Sequence, residues 1–173
     1  MPAPKVAILC GSDSDLPTLQ ACTKILTDFS VPYELKALSA HRTPDDVQAF
    51  VRQAEKRGVK VFICAAGMAA HLAGAVAART TLPVLGIPIA SPPFNGMDSL
   101  LATVQMPPGV PVMTLAAGKA GAANAALAAI QIFALSSASL RKKLQAHRRK
   151  MAVDVRRKNE KLDKLGIDGY VES

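Results

Sequence analysis

Tryptophan is absent from this chain and aromatic residues make up only 4% of it, so a core built on large rings is excluded. The interior must be assembled from Ala, Val, Leu and Ile. Cysteine is scarce: Cys10, Cys22 and Cys64 show no CxxC spacing, which argues against a zinc or dithiol redox framework. Cys10 and Cys64 close apolar runs, and Cys22 falls on the apolar stripe of a helix. All three therefore read as buried, reduced thiols, as in a cytosolic protein. No apolar run is long and charge-free enough to span a bilayer; the nearest, 120–138, is mostly Ala and contains Asn124 and Gln131. Met1-Pro2-Ala3-Pro4 lacks the basic stretch and apolar run of a signal peptide. A soluble, cytoplasmic chain with no membrane partner is expected. The GxGxxG and GxxxxGK[ST] motifs are also missing, and with them the usual fingerprints of dinucleotides and nucleoside triphosphates.

What is present fits one domain with an appendage. The net charge of +8 is unevenly spread. Residues 1–140 hold 10 Lys and Arg against 8 Asp and Glu, a net of +2; residues 141–173 hold 11 against 5, a net of +6. A nearly neutral body at 1–138 is thus followed by a basic extension at 139–173. Along that extension Leu140, Leu144, His147, Met151, Val155, Leu162 and Leu165 form a broken stripe at helical spacing. It reads as an amphipathic helix packed on a neighbouring subunit with its charges in solvent. A nucleic-acid partner is not expected, since no aromatic residue precedes Tyr170 there to stack on bases.

In the body, apolar runs alternate with helical patterns. Lys5–Cys10, Tyr33–Leu38, Val59–Ala65, Pro83–Ile89 and Gly109–Ala116 are the expected strands. A helix with Leu16, Leu19, Cys22, Ile25, Leu26 and Phe29 on one face follows the first, capped by Ser14 or Asp15. Pro44 opens a second helix with Val47, Phe50, Val51 and Ala54 inward, closed by Lys56-Arg57-Gly58. A small-residue helix runs to about Thr80, a short one covers Met97–Gln105, and a mostly apolar one covers 118–137. This alternation predicts a three-layer α/β/α fold on a parallel, flavodoxin-like sheet. Such sheets bind ligands outside the carboxyl ends of their strands, so loops that follow a strand and precede a helix share one rim.

Three such loops carry chemistry. Gly11-Ser12-Asp13-Ser14-Asp15 offers a Gly turn, two hydroxyls and free amides at a helix start, which suits a single phosphate; the same groups would serve as turn and capping chemistry. Ser39-Ala40-His41-Arg42-Thr43-Pro44 pairs an imidazole, whose ordinary pKa of about 6.5 suits proton transfer, with a guanidinium that bonds phosphate or carboxylate in pairs. His71 ends the loop Ala65-Ala66-Gly67-Met68-Ala69-Ala70, where it is a second ligand contact or a helix cap. No third group completes a nucleophilic triad, and the His spacing does not suggest a metal.

At these loops the chain resembles the PurE family of purine biosynthesis, the 5-(carboxyamino)imidazole ribonucleotide mutases, also named phosphoribosylaminoimidazole carboxylase catalytic subunits. The likeness rests on GSDSD at 11–15, SAHRTP at 39–44, AGMAAHLAG at 66–74 and PVLGIP at 83–88. It continues through GMDSLLATVQMPPGVPV at 96–112 and GKAGAANAALAAIQI at 118–132. The resemblance implies a homo-octamer that moves a carboxylate from an exocyclic nitrogen to ring carbon C4 without metal or cofactor. It implies that Ser12, Ser14 and Asp15 hold the phosphoribosyl part, Arg42 meets the phosphate and His41 shuttles the proton. Ser39, Ala66, Gly67, His71 and Leu72 then line the base and carboxylate region. Where the family often has Gly-Gly this chain has Gly67-Met68, and where it has Pro this chain has Ala73, so Gly67 rather than Met68 is the expected contact. A carboxylase using free CO2 is the rival reading; Arg42 argues against it, since that branch typically has Lys after the His. A nucleotide-binding regulator with a basic tail is a more distant one.

Overall fold

The computed structural model describes residues 3–172. Five parallel strands, β1 (Val6–Cys10), β2 (Tyr33–Ala37), β3 (Val61–Gly67), β4 (Val84–Ile89) and β5 (Met113–Thr114), lie in the order β2-β1-β3-β4-β5. Each of the first four is followed by a helix: α1 (Leu16–Asp28), α2 (Pro44–Arg57), α3 (Leu72–Ala77) and α4 (Met97–Val104). α5 (Gly118–Ala134) follows β5. All five β1 residues are fully buried, which is why the strand reads as a continuous apolar run rather than an alternating one.

Each helix is placed by its inward residues. α1 buries Leu19, Cys22 and Leu26, one face at spacings of three and four. Leu16, expected on that stripe, is 37% exposed; it is the first residue of α1, directly after a 3₁₀ turn, Asp13–Asp15. α2 buries Val47, Phe50, Val51 and Ala54, the face read from the sequence. It ends at Gly58, whose φ of 100° lets the Gly58 and Val59 amides turn back to Glu55 and Ala54. That closure uses up Val59, so β3 starts two residues later than its apolar run and extends to Gly67. Gly86 in β4 has a packing reason. A Cβ there would lie 2.5 Å from Thr103 Cγ2 and 3.0 Å from Val112 Cγ1, so its absence lets α4 close down on the sheet.

The fifth strand is much shorter than the expected Gly109–Ala116. Pro107, Pro108 and Pro111 carry no amide donor, and Gly109 turns the chain at a φ of 96°, leaving Met113–Thr114 to pair with Leu85 and Gly86. The small-residue helix likewise stops at Ala77, short of Thr80. Cys10, Cys22 and Cys64 are free and buried, as expected. Burial pushes the Cys10 thiol up to about 11, helped by the charges of Asp15 and Asp13, and the Cys22 thiol up to about 12.

The chain divides into two compact units, 1–132 and 133–173. The second contains α6 (Ala138–Val171), whose first turn is capped by the Ser137 hydroxyl accepting from the Leu140 amide. None of its residues is buried, and Met151 and Val155 on the apolar stripe are 54% and 57% exposed. Gly166, at φ 64° and ψ −179°, breaks the helical path near its end. Among the described residues no helix is long and apolar enough to cross a membrane.

Candidate active site

Strand order makes the site. β1 pairs with β2 on one side and β3 on the other, so the chain leaving β1 and the chain leaving β3 diverge. At such a switch point a crevice opens above the carboxyl ends of the strands. Here it is a cavity of about 720 Å³, within the range of small-ligand sites. Every site residue expected from the sequence lines it: Ser12, Ser14 and Asp15 after β1; Ser39, His41 and Arg42 after β2; Ala66, Gly67, His71 and Leu72 from the end of β3 into α3. Met68, ranked behind Gly67 as a contact, is also part of the wall.

The loop after β1 is held by reciprocal capping. The Ser12 hydroxyl accepts from the Ser14 amide at 3.3 Å, and the Asp15 carboxylate accepts from the Ser12 amide at 3.2 Å. The Ser14 hydroxyl donates to Ser12 Oγ at 2.9 Å. Asp15 caps its own turn and makes no side-chain bond to α1. It is 5% exposed, and that burial holds its carboxyl above the usual 3.8, with the Asp13 charge adding to the rise. Bonds from the Ser12 and Gly11 amides and from Ser14 pull the other way.

This sets a sign for Asp15→Asn. A raised carboxyl means that the fold prefers the protonated form, so stability is fully present in acid and is lost as the pH rises through the folded pKa. The Asn variant escapes that loss. Its melting temperature should match the wild type in acid and exceed it at neutral pH, as thermal melts across the range would read.

The loop after β2 winds round one hydroxyl. Ser39 Oγ accepts from the Arg42 amide at 3.1 Å and from the His41 amide at 3.3 Å. Thr43 Oγ1 bridges the Ser39 amide and carbonyl at 3.0 and 3.2 Å. Ser39 thus fixes the backbone that carries both charged side chains. The Arg42 guanidinium reaches across the crevice and donates to the Gly11 carbonyl at 3.0 Å, tying this loop to the one after β1.

His41 and His71 meet directly. His41 Nε2 lies 2.8 Å from His71 Nδ1, with the rings edge to face at 80° and their centroids 4.9 Å apart. A contact of that length holds one proton: one nitrogen donates and the other accepts, so the tautomer of either ring sets that of the other. Both side chains are exposed to the crevice. The sequence placed both residues on the rim but could not pair them, because 30 positions separate them.

A fourth wall was missed. Ile89, Ala90 and Ser91, at the end of β4, also line the cavity. Ile89 closes the expected strand Pro83–Ile89, and the segment after it was not singled out for chemistry. The rule applied to the other loops, strand before and helix after, would have found it.

The site is that of a small-molecule enzyme: a doubly wound sheet with an imidazole pair, a guanidinium and a hydroxyl-rich turn converging at its switch point. Comparison with known proteins makes this specific. The profile of the AIR carboxylase family matches residues 5–154, and the chain belongs to that family. It is 50% identical to the N5-carboxyaminoimidazole ribonucleotide mutase of Pyrococcus abyssi over 98% of this chain and 96% of that one. It is 52% identical to the enzyme of the same name from Bacillus subtilis, over 84% of this chain and 90% of that one. The crystal structure of Treponema denticola PurE superposes with a TM-score of 0.83 at 26% identity, covering 92% of this chain and 98% of that one.

Proposed function

We propose that this protein is a 5-(carboxyamino)imidazole ribonucleotide mutase of purine biosynthesis, moving a carboxylate from the exocyclic nitrogen of the aminoimidazole ribonucleotide to ring C4. The observation that carries this reading is the His41–His71 pair, set beside Arg42 in one crevice of a family member. Ser12, Ser14 and Asp15 hold the phosphoribosyl part, with the Asp15 carboxylate on the ribose hydroxyls. Arg42 binds the phosphate. The base and its carboxylate lie against Ser39, Ala66, Gly67, His71 and Leu72.

The reaction balances on one imidazole. His41 gives a proton to the carboxylated nitrogen, the N–C bond breaks, and its electron pair stays on nitrogen as CO2 leaves. C4 of the electron-rich ring attacks the CO2 and forms a C–C bond. C4 then loses its proton to His41, which returns to its starting state. His71 accepts or donates on the far side of the His41 ring as its charge changes. The crevice holds the freed CO2 close to C4.

Residues 1–138 act as the catalytic domain, and residues 139–173 as an extension that packs on a neighbouring copy in a cytoplasmic homo-octamer. Exposed apolar stripes support such an assembly: Met97, Leu101 and Val104 along α4, and Met151, Val155, Leu162 and Leu165 along α6. Purified protein should convert the N-carboxylated substrate to the C4 product without ATP or added bicarbonate. Activity that appeared only with unmodified aminoimidazole ribonucleotide and high bicarbonate would instead establish the free-CO2 carboxylase.

A further inference from the structure

The turn between β3 and α3 carries one residue at odds with its conformation. Met68 sits at a φ of 54°, in the left-handed region that side chains with a Cβ rarely adopt. The other non-glycine residues at positive φ among those described, Ser30 and Asn95, have short polar side chains that can bond their own backbone there. Methionine has no such compensation. The turn also holds it tightly, with the Ala70 amide donating to the Met68 carbonyl at 2.9 Å and the His71 amide to the Ala69 carbonyl at 2.8 Å.

The side chain is equally out of place. Met68 lines the cavity, yet 63% of its surface faces water. It is the one long side chain in a run otherwise made of Ala and Gly, from Ala65 to Ala70. An unfavourable backbone angle and an exposed apolar chain coincide at the mouth of the site, three residues before His71. Backbone strain of this kind persists where the surroundings use it.

We infer that Met68 is a movable cover that folds over the bound ring and keeps released CO2 in the cavity until C4 captures it. The inference rests on the proposed mutase reaction. Between N–C cleavage and C–C formation the carboxyl group is a small neutral molecule that no hydrogen bond anchors firmly. Retention then depends on closing its exit with apolar surface. A thioether chain with three rotatable bonds can lie across ligands of irregular outline, and its burial on substrate removes the exposed surface from water. In this chain Gly or Ala at this position would leave more of the exit uncovered.

The test is isotopic. Mutase turnover of unlabelled N-carboxylated substrate is run in buffer equilibrated with ¹³C-labelled bicarbonate, and the product is analysed by mass spectrometry. CO2 that stays in the site gives unlabelled product; CO2 that escapes is replaced by label from solution. Met68→Gly and Met68→Ala should raise the labelled fraction about five-fold over wild type, and Met68→Leu, which restores apolar bulk, should bring it back. The Gly variant should melt no lower than wild type, since Gly adopts positive φ without penalty. Equal labelling in wild type, Gly and Ala variants overturns the cover. So does a change in oligomer size on gel filtration, which would make Met68 a contact between copies. A wild type that makes no product from the N-carboxylated substrate overturns the proposed reaction, and this inference with it.

Discussion

Replacing His41 by Asn is expected to lower kcat about a thousand-fold while substrate affinity stays within a few-fold of wild type. Asn keeps a polar group of similar reach at the tip of the loop but cannot carry a proton between nitrogen and carbon. The loop itself should survive, because the His41 amide, not its ring, bonds to Ser39 Oγ. Steady-state rates combined with calorimetric binding of substrate would separate the two effects. A variant with normal turnover would remove His41 from the proton path. A variant that lost binding and turnover together would make the imidazole a ligand contact rather than a shuttle.

Arg42→Ala is expected to act on the other parameter, raising KM about 300-fold with kcat changed only a few-fold. The guanidinium carries fixed charge and paired donors but no exchangeable proton for the chemistry. Its contribution should therefore be uniform binding, made equally to substrate and transition state. The decisive comparison uses the nucleoside form of the substrate, which lacks the phosphate. Wild type and variant should handle that compound equally poorly. A KM effect that persisted without the phosphate would mean that the deleted contact was the bond to the Gly11 carbonyl, and that Arg42 serves to hold two loops together.

The parts of this fold that were legible in the sequence are those set by periodicity. The inward face of α2 can be read from Val47, Phe50, Val51 and Ala54 because each is buried by helical geometry alone. The shared rim follows from the alternation of strand and helix, and that was enough to bring residues 12, 41 and 71 to one crevice. Features set by backbone detail were hidden. The fifth strand was overestimated because apolar content at 109–116 outweighed the missing amides of its prolines. Ser39 was read only as a lining residue, and the bonds by which its hydroxyl accepts two backbone amides of its own loop were not legible. The meeting of His41 with His71 depends on how far two separate loops lean toward each other, which no local pattern encodes. The strain at Met68 was signalled by a long side chain in a run of Ala and Gly, at a place where the family often has Gly.

Among the described residues the cavity wall carries no tryptophan, tyrosine or phenylalanine. Its rings are the two imidazoles, which are transparent in the near ultraviolet, and the whole chain has no indole and only two phenols. The protein therefore absorbs only weakly between the peptide band and the visible. An absorbance or circular dichroism change in that window, when an imidazole nucleotide enters the crevice, belongs to the nucleotide itself. Conversion of an N-carboxylated to a C-carboxylated ring can then be followed on the enzyme, at enzyme-level concentrations, without a coupled assay.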